Sequence, residues 1–174
     1  MSWVIDKVHS HVGFTVRHLM VATARGQFKE YSGKLRLDPK DFGKSVFEGE
    51  IEVASIDTGN ADRDNHLRTN DFFDVQNHPK ITFKSSSIET KGEGEYTVHG
   101  DLSIRGVTKP VALEVEFHGT SKTPHGKTVA GLSARGTINR KEFGVTFDMV
   151  LETGGVALAD KVKLELDIEL VEEA

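Results

Sequence analysis

The sequence of 174 residues contains no cysteine, which excludes disulfide bonds, thiolate nucleophiles and zinc–thiolate sites. It also has no apolar run of about 20 residues that could cross a bilayer, and no proline-rich or serine-rich linker. The stretch from Met1 to Val4 lacks the basic and apolar regions of a signal peptide. We therefore expect a single cytoplasmic domain over residues 1–174, long enough to bury a hydrophobic core.

The sequence also has no excess of positive charge. Lys and Arg number 22 against 27 Asp and Glu, so the formal net charge is −5. Binding to nucleic acid needs a basic stripe that displaces the counterions of the phosphates. We expect no nucleic-acid partner.

The sequence has instead a repeated alternation of apolar and polar residues. Along Val46 to Ala54, Phe47, Gly49 and Ile51 alternate with glutamates, and the same period of two recurs elsewhere. The other alternating segments are 111–118 and 162–170 and, less regularly, 31–37, 96–104, 129–138 and 147–151. This pattern predicts an antiparallel sheet with one wet face, and it permits either a sandwich or a closed barrel. Glycines on the apolar faces, Gly33, Gly49 and Gly100, either bend a strand or leave room inside it.

A single short helix is predicted over Ala61 to Asp71, with Asn60 or Asp62 as its N-cap. The sequence Asn77-His78-Pro79 ends it, because a residue before proline favours extended geometry. A strand follows from Ile81 to Lys84. We expect the helix to pack against one end of the sheet.

Four separate segments carry a resemblance to a known family. They are VHSHVGFTVRHLM (Val8 to Met20), RDNHLRTNDFFDVQNHPKITFKS (Arg63 to Ser85), GDLSIRGVTKPV (Gly100 to Val111) and RKEFG (Arg140 to Gly144). Their order and content resemble the YceI-like family of lipid and polyisoprenoid-binding proteins over essentially the whole chain. The resemblance implies an all-β, antiparallel, lipocalin-like β-barrel that encloses an apolar chain. It also implies polyprenyl phosphates or isoprenoid quinones as ligand classes, and it makes a homodimer plausible.

The apolar ligand chain would then lie among the inward-facing residues of the barrel. The residues predicted to line this tunnel are Phe14, Val16, Met20, Phe47, Ile51, Phe83, Leu102, Ile104, Leu113, Val115, Phe117, Phe147 and Met149. From the residues alone, the same set could equally fill a core. The protein would sequester or carry the lipid, with no reaction and no cofactor other than the bound lipid.

His18 is the histidine that stands out, because it shares a strand face with Val12, Phe14 and Val16. Among apolar neighbours it must either bond a carbonyl or carboxylate in the core or meet a ligand head group. The resemblance favours the head group. The predicted head-group residues are His18, Arg17, His66, Arg68, Asn70 and Asp71, whose Arg and His donors suit a phosphate or a quinone carbonyl.

Two alternatives remain open at this point. The carboxylates and histidine of Asp57, Asp62, Asp64, His66 and Asp71 could form the site of a metal-dependent hydrolase, although their spacing matches no motif with a known mechanism. The barrel could also be a filled scaffold for protein interactions. His9 and His11 have a spacing that could share a metal, but no third ligand is evident, so we expect no metal site.

Overall fold

The computed structural model describes residues 2–19, 21–148 and 158–173. These residues form eleven strands and one α-helix. The strands are β1 (Ser2–Ile5), β2 (His11–His18), β3 (Ala22–Phe28), β4 (Tyr31–Arg36), β5 (Val46–Glu52), β6 (Ile56–Asp57), β7 (Lys80–Gly92), β8 (Glu95–Ile104), β9 (Val107–Lys122), β10 (Thr128–Asn139) and β11 (Leu158–Glu172). The helix α1 is Ala61–Leu67. None of the helices in these described ranges is long and apolar enough to cross a membrane.

The strands close into an antiparallel barrel. Three pairs of consecutive strands, β1 with β2, β3 with β4 and β5 with β6, each form one interrupted strand, so the ring has eight positions. Every position pairs with the next along the chain, and β11 closes the ring by pairing with both β1 and β2. The structure therefore confirms the predicted barrel and excludes the sandwich. Closure also removes most of the free sheet edge that a sandwich would leave, an exception being residues 22–26 of β3, which pair on one side only.

The interruption between β1 and β2 arises from a side chain that caps a short turn. Asp6 accepts a hydrogen bond from the backbone N–H of Val8 at 3.0 Å, which turns residues Lys7–His9 into a 3₁₀ helix. Strand β2 therefore begins only at His11, inside the segment Val8 to Met20. The strand predicted over 147–151 is wrong for Phe147 and Asp148, which lie in a loop, and its other residues lie outside the described part of the chain.

One end of the barrel is closed by an aromatic plug, consisting of Phe42, Phe47, Tyr96 and Phe117. Phe42 lies in the connection between β4 and β5 and is only 2% exposed. Its ring stacks on Tyr96 at 4.3 Å between centroids and contacts Phe117 at 5.1 Å. This end is therefore solidly packed.

The opposite end is covered by the lid, which we define as residues 58–79 and which contains α1. Asn60 caps the helix, because its side chain accepts a hydrogen bond from the N–H of Arg63 at 3.0 Å. The helix ends at Leu67, four residues earlier than predicted, and the chain continues in turns. Buried Phe72 and half-buried Phe73 anchor the lid on the barrel. The predicted position of the helix at one barrel end is thus confirmed.

Candidate functional site

A cavity of about 320 Å³ lies inside the barrel between the plug and the lid. Its wall consists mostly of aliphatic and aromatic side chains from every position of the ring and from the lid. The volume falls at the low end of the range of about 300–1,000 Å³ that is typical of small-ligand pockets. An apolar space of this kind favours an apolar ligand over water.

Most of the predicted tunnel residues lie in this wall. Those that line the cavity are Phe14, Val16, Phe47, Ile51, Phe83, Leu102, Ile104, Leu113 and Val115. Phe117 belongs instead to the plug, and Phe147 packs on His66 and Phe72 of the lid, with both centroid distances at 5.1 Å. Met20 and Met149 lie outside the described residues. A role for these residues in binding stays a prediction.

Two of the inward glycines have opposite effects on the interior. A Cβ atom added to Gly49 would meet only the backbone oxygen of Ser32, at 3.8 Å, so Gly49 leaves room in the cavity. A Cβ atom added to Gly100 would collide with the ring of Phe83 at 2.5 Å. The ring of Phe83 therefore packs directly on the backbone of Gly100. The alternation alone left both interpretations open.

The cavity reaches the surface at a gap between β3 and the lid. Residues Ala22–Gly26 pair with β2 on one side, while only Gln27 and Phe28 pair with β6 on the other. Arg25 and Arg63 flank this gap, and both are exposed although both line the cavity. We define the gap as this opening between residues 22–26 of β3 and the lid.

The two arginines of the gap differ in their bonding. Arg63 donates from Nε to the hydroxyl of Thr58 at 2.7 Å and from a terminal nitrogen to the Thr58 carbonyl at 2.6 Å. The backbone of Arg25 pairs with Thr15 of β2, but its guanidinium makes no hydrogen bond or ion pair with the described residues. Neither arginine was among the predicted head-group residues, and Arg25 lies in a segment that carries no strong alternation. The pair places positive charge where a head group would leave the cavity.

The six predicted head-group residues do not line the cavity. His66 Nε2 bonds Asp71 Oδ2 at 2.8 Å, and the imidazole edge rests on Phe72 and Phe147. Arg68 donates to the backbone oxygens of Ala54 and Ile56, at 3.0 and 3.2 Å. His66 and Asp71 are thus joined on the outside of the lid, and Arg68 fixes the lid to the barrel.

The other three head-group candidates are exposed. Asn70 lies in the turns of the lid, while Arg17 and His18 occupy the last two positions of β2. His18 is not the core histidine that the alternation allowed, because β2 ends there and its carbonyl oxygen accepts the N–H of Val21 at 3.2 Å. Head-group contacts by these residues stay a prediction.

A buried cation that the sequence did not reveal is Arg140, which is 5% exposed and lines the cavity. Its guanidinium donates to the carbonyls of Val145 and Phe147 at 2.9 Å and to Asp148 Oδ1 at 2.6 Å. Lys141 and then Arg140 hold the pKa of Asp148 below its usual range, so this carboxylate stays ionised beside the buried cation. Arg140 therefore holds the lid end of the wall together.

The carboxylates considered for a hydrolase do not converge on one site. Buried Asp64 accepts the N–H and hydroxyl of Thr58, and Asp71 pairs with His66. Asp57 accepts the N–H of Gly59 and pairs with Lys29, both of which lower the pKa of its carboxyl group. The carboxylates of Asp57, Asp64 and Asp71 therefore serve in turn capping and ion pairing.

His9 and His11, whose spacing could suit a shared metal, have different surroundings in the structure. His9 Nδ1 lies 2.8 Å from Asp6 Oδ2 and 3.4 Å from Glu169 Oε2 on the outer surface. The hydrogen bond to Asp6 raises the pKa of His9, and the same bond lowers the pKa of Asp6. His11 takes no part in this ion-pair group.

Comparison with known proteins identifies relatives along the whole chain. Residues 3–170 match the family model of the YceI-like domain. A UPF0312 protein of Staphylococcus epidermidis is 44% identical over 165 residues, which cover 94% of each chain. The crystal structure of the Campylobacter jejuni YCEI protein superposes with a TM-score of 0.79 at 30% identity, covering 91% of this chain and 90% of that one.

A more distant structure has the same fold. It is a polyisoprenoid binding domain from Saccharophagus degradans that has been implicated in plant cell wall breakdown. Its TM-score is 0.72 at 12% identity, and 98% of each chain is covered. At this identity the likeness extends to the fold alone.

Proposed function

This chain belongs to the family of YceI-like domains, and from that premise we propose that it binds a long-chain isoprenoid lipid inside its barrel without changing it chemically. The ligand classes are polyprenyl phosphates and isoprenoid quinones. The observation that carries the proposal is the apolar cavity of about 320 Å³ between plug and lid. The polyisoprenoid binding domain from Saccharophagus degradans, which has the same fold, supports the ligand class.

Affinity would come mainly from burial of the lipid tail. Each buried methylene contributes about 0.8 kcal/mol, so a five-carbon isoprene unit that is fully enclosed contributes about 4 kcal/mol. The wall offers this burial without requiring many polar contacts. Gly49 matters here because its missing side chain keeps part of the cavity free.

The polar head would lie at the gap, next to Arg25 and Arg63. A guanidinium donates two parallel hydrogen bonds to a phosphate, and it can donate to a quinone carbonyl as well. Arg63 uses two of its five N–H donors on Thr58, whereas the guanidinium of Arg25 has no partner among the described residues, so Arg25 has the larger free capacity of the two. His18 lies at the end of the neighbouring strand and remains a further candidate.

The test is mass spectrometry of organic extracts from the purified protein, with a blank from an unrelated protein made in the same host. We expect a prenyl chain in a ratio of about one per barrel. Protein from which the lipid has been removed should then bind a polyprenyl phosphate in a fluorescence-displacement assay. An extract without lipid, together with no uptake by the delipidated protein, would refute the proposal and favour the filled scaffold. The predicted cytoplasmic location and homodimer stay predictions.

A further inference from the structure

The hairpin formed by β2 and β3 differs in charge from the rest of the chain. Residues 7–29 contain none of the 27 acidic residues, although about three or four would be expected at the average frequency. Lys7 and Lys29 lie outside the two strands and pair with Glu30 and Asp57, so the hairpin itself carries Arg17 and Arg25, a formal charge of +2 against −7 for the remaining residues. The protein is therefore strongly polarised, with one basic hairpin on an acidic body.

The turn of this hairpin presents apolar side chains to solvent. Val21 is 81% exposed and Leu19 is 40% exposed. Leu19 has a φ of +52°, a backbone conformation that is rare for a branched residue and carries a cost in energy. An exposed apolar turn held in a strained conformation is unfavourable in water alone, which suggests that it is used for contact.

The turn lies beside the gap. Val16 and Ala24, which flank the turn on β2 and β3, both line the cavity, and Arg25 stands at the edge of the gap. A surface that receives Leu19 and Val21 would thus come close to the opening of the cavity. The exposed apolar turn, the basic charge and the opening form one continuous region.

We propose that the turn of the β2–β3 hairpin docks onto membranes that contain anionic lipids and so brings the gap to the lipid surface. The proposal rests on the proposed function, because a protein that encloses a membrane lipid has to take it from a bilayer. Leu19 and Val21 would enter the apolar boundary, while His18 and Arg25 would meet the anionic head groups. The acidic body would be repelled, which fixes the orientation.

A membrane fits this surface better than a protein or a nucleic acid does. A stable protein interface buries more than about 1,000 Å² on complementary surfaces, whereas this is a narrow hairpin turn with two described apolar side chains. Nucleic acid would use the arginines but would gain nothing from exposed Leu19 and Val21. A bilayer interface uses both kinds of side chain together.

The experiment is flotation of the full chain with vesicles of phosphatidylcholine, with and without phosphatidylglycerol. The variant Val21→Asp is compared with Val8→Asp, which makes the same chemical change at a residue that is 87% exposed but lies in the 3₁₀ turn between β1 and β2. We expect binding to the vesicles with phosphatidylglycerol. Val21→Asp should weaken this binding at least tenfold and Val8→Asp less than twofold. Arg25→Gln should weaken it about fivefold, since one basic residue near an anionic surface contributes about 1 kcal/mol.

Several results would overturn the inference. They are failure of the parent protein to bind vesicles with phosphatidylglycerol, equal losses in the two valine variants, or binding that Val21→Asp leaves unchanged. Circular dichroism of each variant separates loss of docking from loss of folding. Parent protein that carries lipid but does not float would refute docking and leave the proposed function intact. Parent protein that floats but neither carries nor takes up lipid would refute the proposed function instead.

Discussion

Replacing Gly49 with leucine should fill part of the cavity while leaving the barrel folded. The backbone of Gly49 lies within β5, and an added Cβ meets only the Ser32 oxygen at an ordinary distance of 3.8 Å. The new side chain adds four carbons to the interior. At about 0.8 kcal/mol per methylene, the space that it removes from a lipid tail corresponds to about 3 kcal/mol, or a loss in affinity of about a hundredfold.

The same substitution should make the empty protein more stable. A leucine side chain that becomes buried contributes about 1.5–3 kcal/mol, and loss of the glycine's freedom in the unfolded chain adds about 0.4–1 kcal/mol. Affinity and stability should therefore change in opposite directions. Loss of both together would indicate only a damaged fold.

The assay is displacement of a fluorescent fatty probe by a polyprenyl phosphate, with thermal unfolding of the delipidated protein measured in parallel. Gly43→Leu is the matched control, because Gly43 is exposed and its added Cβ would make an ordinary contact of 3.5 Å with Asp41. This control should bind lipid like the parent. If Gly49→Leu remains folded and binds with parental affinity, the ligand does not occupy this cavity and our reasoning is refuted.

Three further predictions concern stability and pH. Phe42→Ala should lower the free energy of unfolding by about 3–5 kcal/mol in denaturant titration, because it empties the plug; a change below about 1 kcal/mol would show that the plug contributes little. Arg140→Met should lower the free energy of unfolding by about 3–5 kcal/mol, since the carbonyls bonded by Arg140 and the carboxylate of Asp148 lose a buried partner. Arg36→Met, at an exposed arginine, is the control and should be nearly neutral. Asp6→Asn should lower the pKa of His9 in an NMR titration, because the bond to Asp6 raises it. The stability that His9 contributes is present below the unfolded pKa of about 6.5 and is lost as the pH rises through the higher folded pKa. The variant should show a weaker dependence, because Glu169 still raises the pKa of His9, and an unchanged His9 titration would contradict the assigned hydrogen bond.

The period of two in the sequence predicts which face of a strand points inward, but it does not predict how far along the barrel a residue lies. Phe47 and Phe83 are correctly placed in the wall by alternation. Phe117 is also inward, yet β9 extends to the plug end, where Phe42 meets it. Near this position the register between β9 and β10 shifts at Gly131, which alternation cannot show. His18 lies outside the cavity wall for a related reason, since β2 ends at this residue.

Residues whose partners lie outside their own strand or turn could not be found by local patterns. Arg140 is an ordinary basic residue in the sequence, and its burial depends on carbonyls of Val145, Phe147 and Ala159. The importance of Arg25 depends on where the pairing of β3 with β6 stops. Both facts follow from the closure of the barrel. The capped helix, in contrast, was predictable at its start because Asn60 acts within four residues.

The two ends of the barrel differ in how readily they could admit a lipid. Opening the plug would expose Phe42 and its aromatic neighbours, which costs about as much as removing a core phenylalanine, about 3–5 kcal/mol. The lid is joined to the barrel partly by separate hydrogen bonds, such as those from Arg68 to Ala54 and from Arg105 to the Phe72 carbonyl at 2.6 Å. A hydrogen bond that is exchanged for one to water contributes only about 0.5–1.5 kcal/mol net. Lifting the whole lid would also expose Phe72 and Phe73, but the gap beside the lid already opens the cavity, so this end needs the smaller movement, and it is the end that the basic hairpin adjoins. Cross-linking of the lid to β3 should accordingly slow lipid uptake, whereas a cross-link across the plug should not.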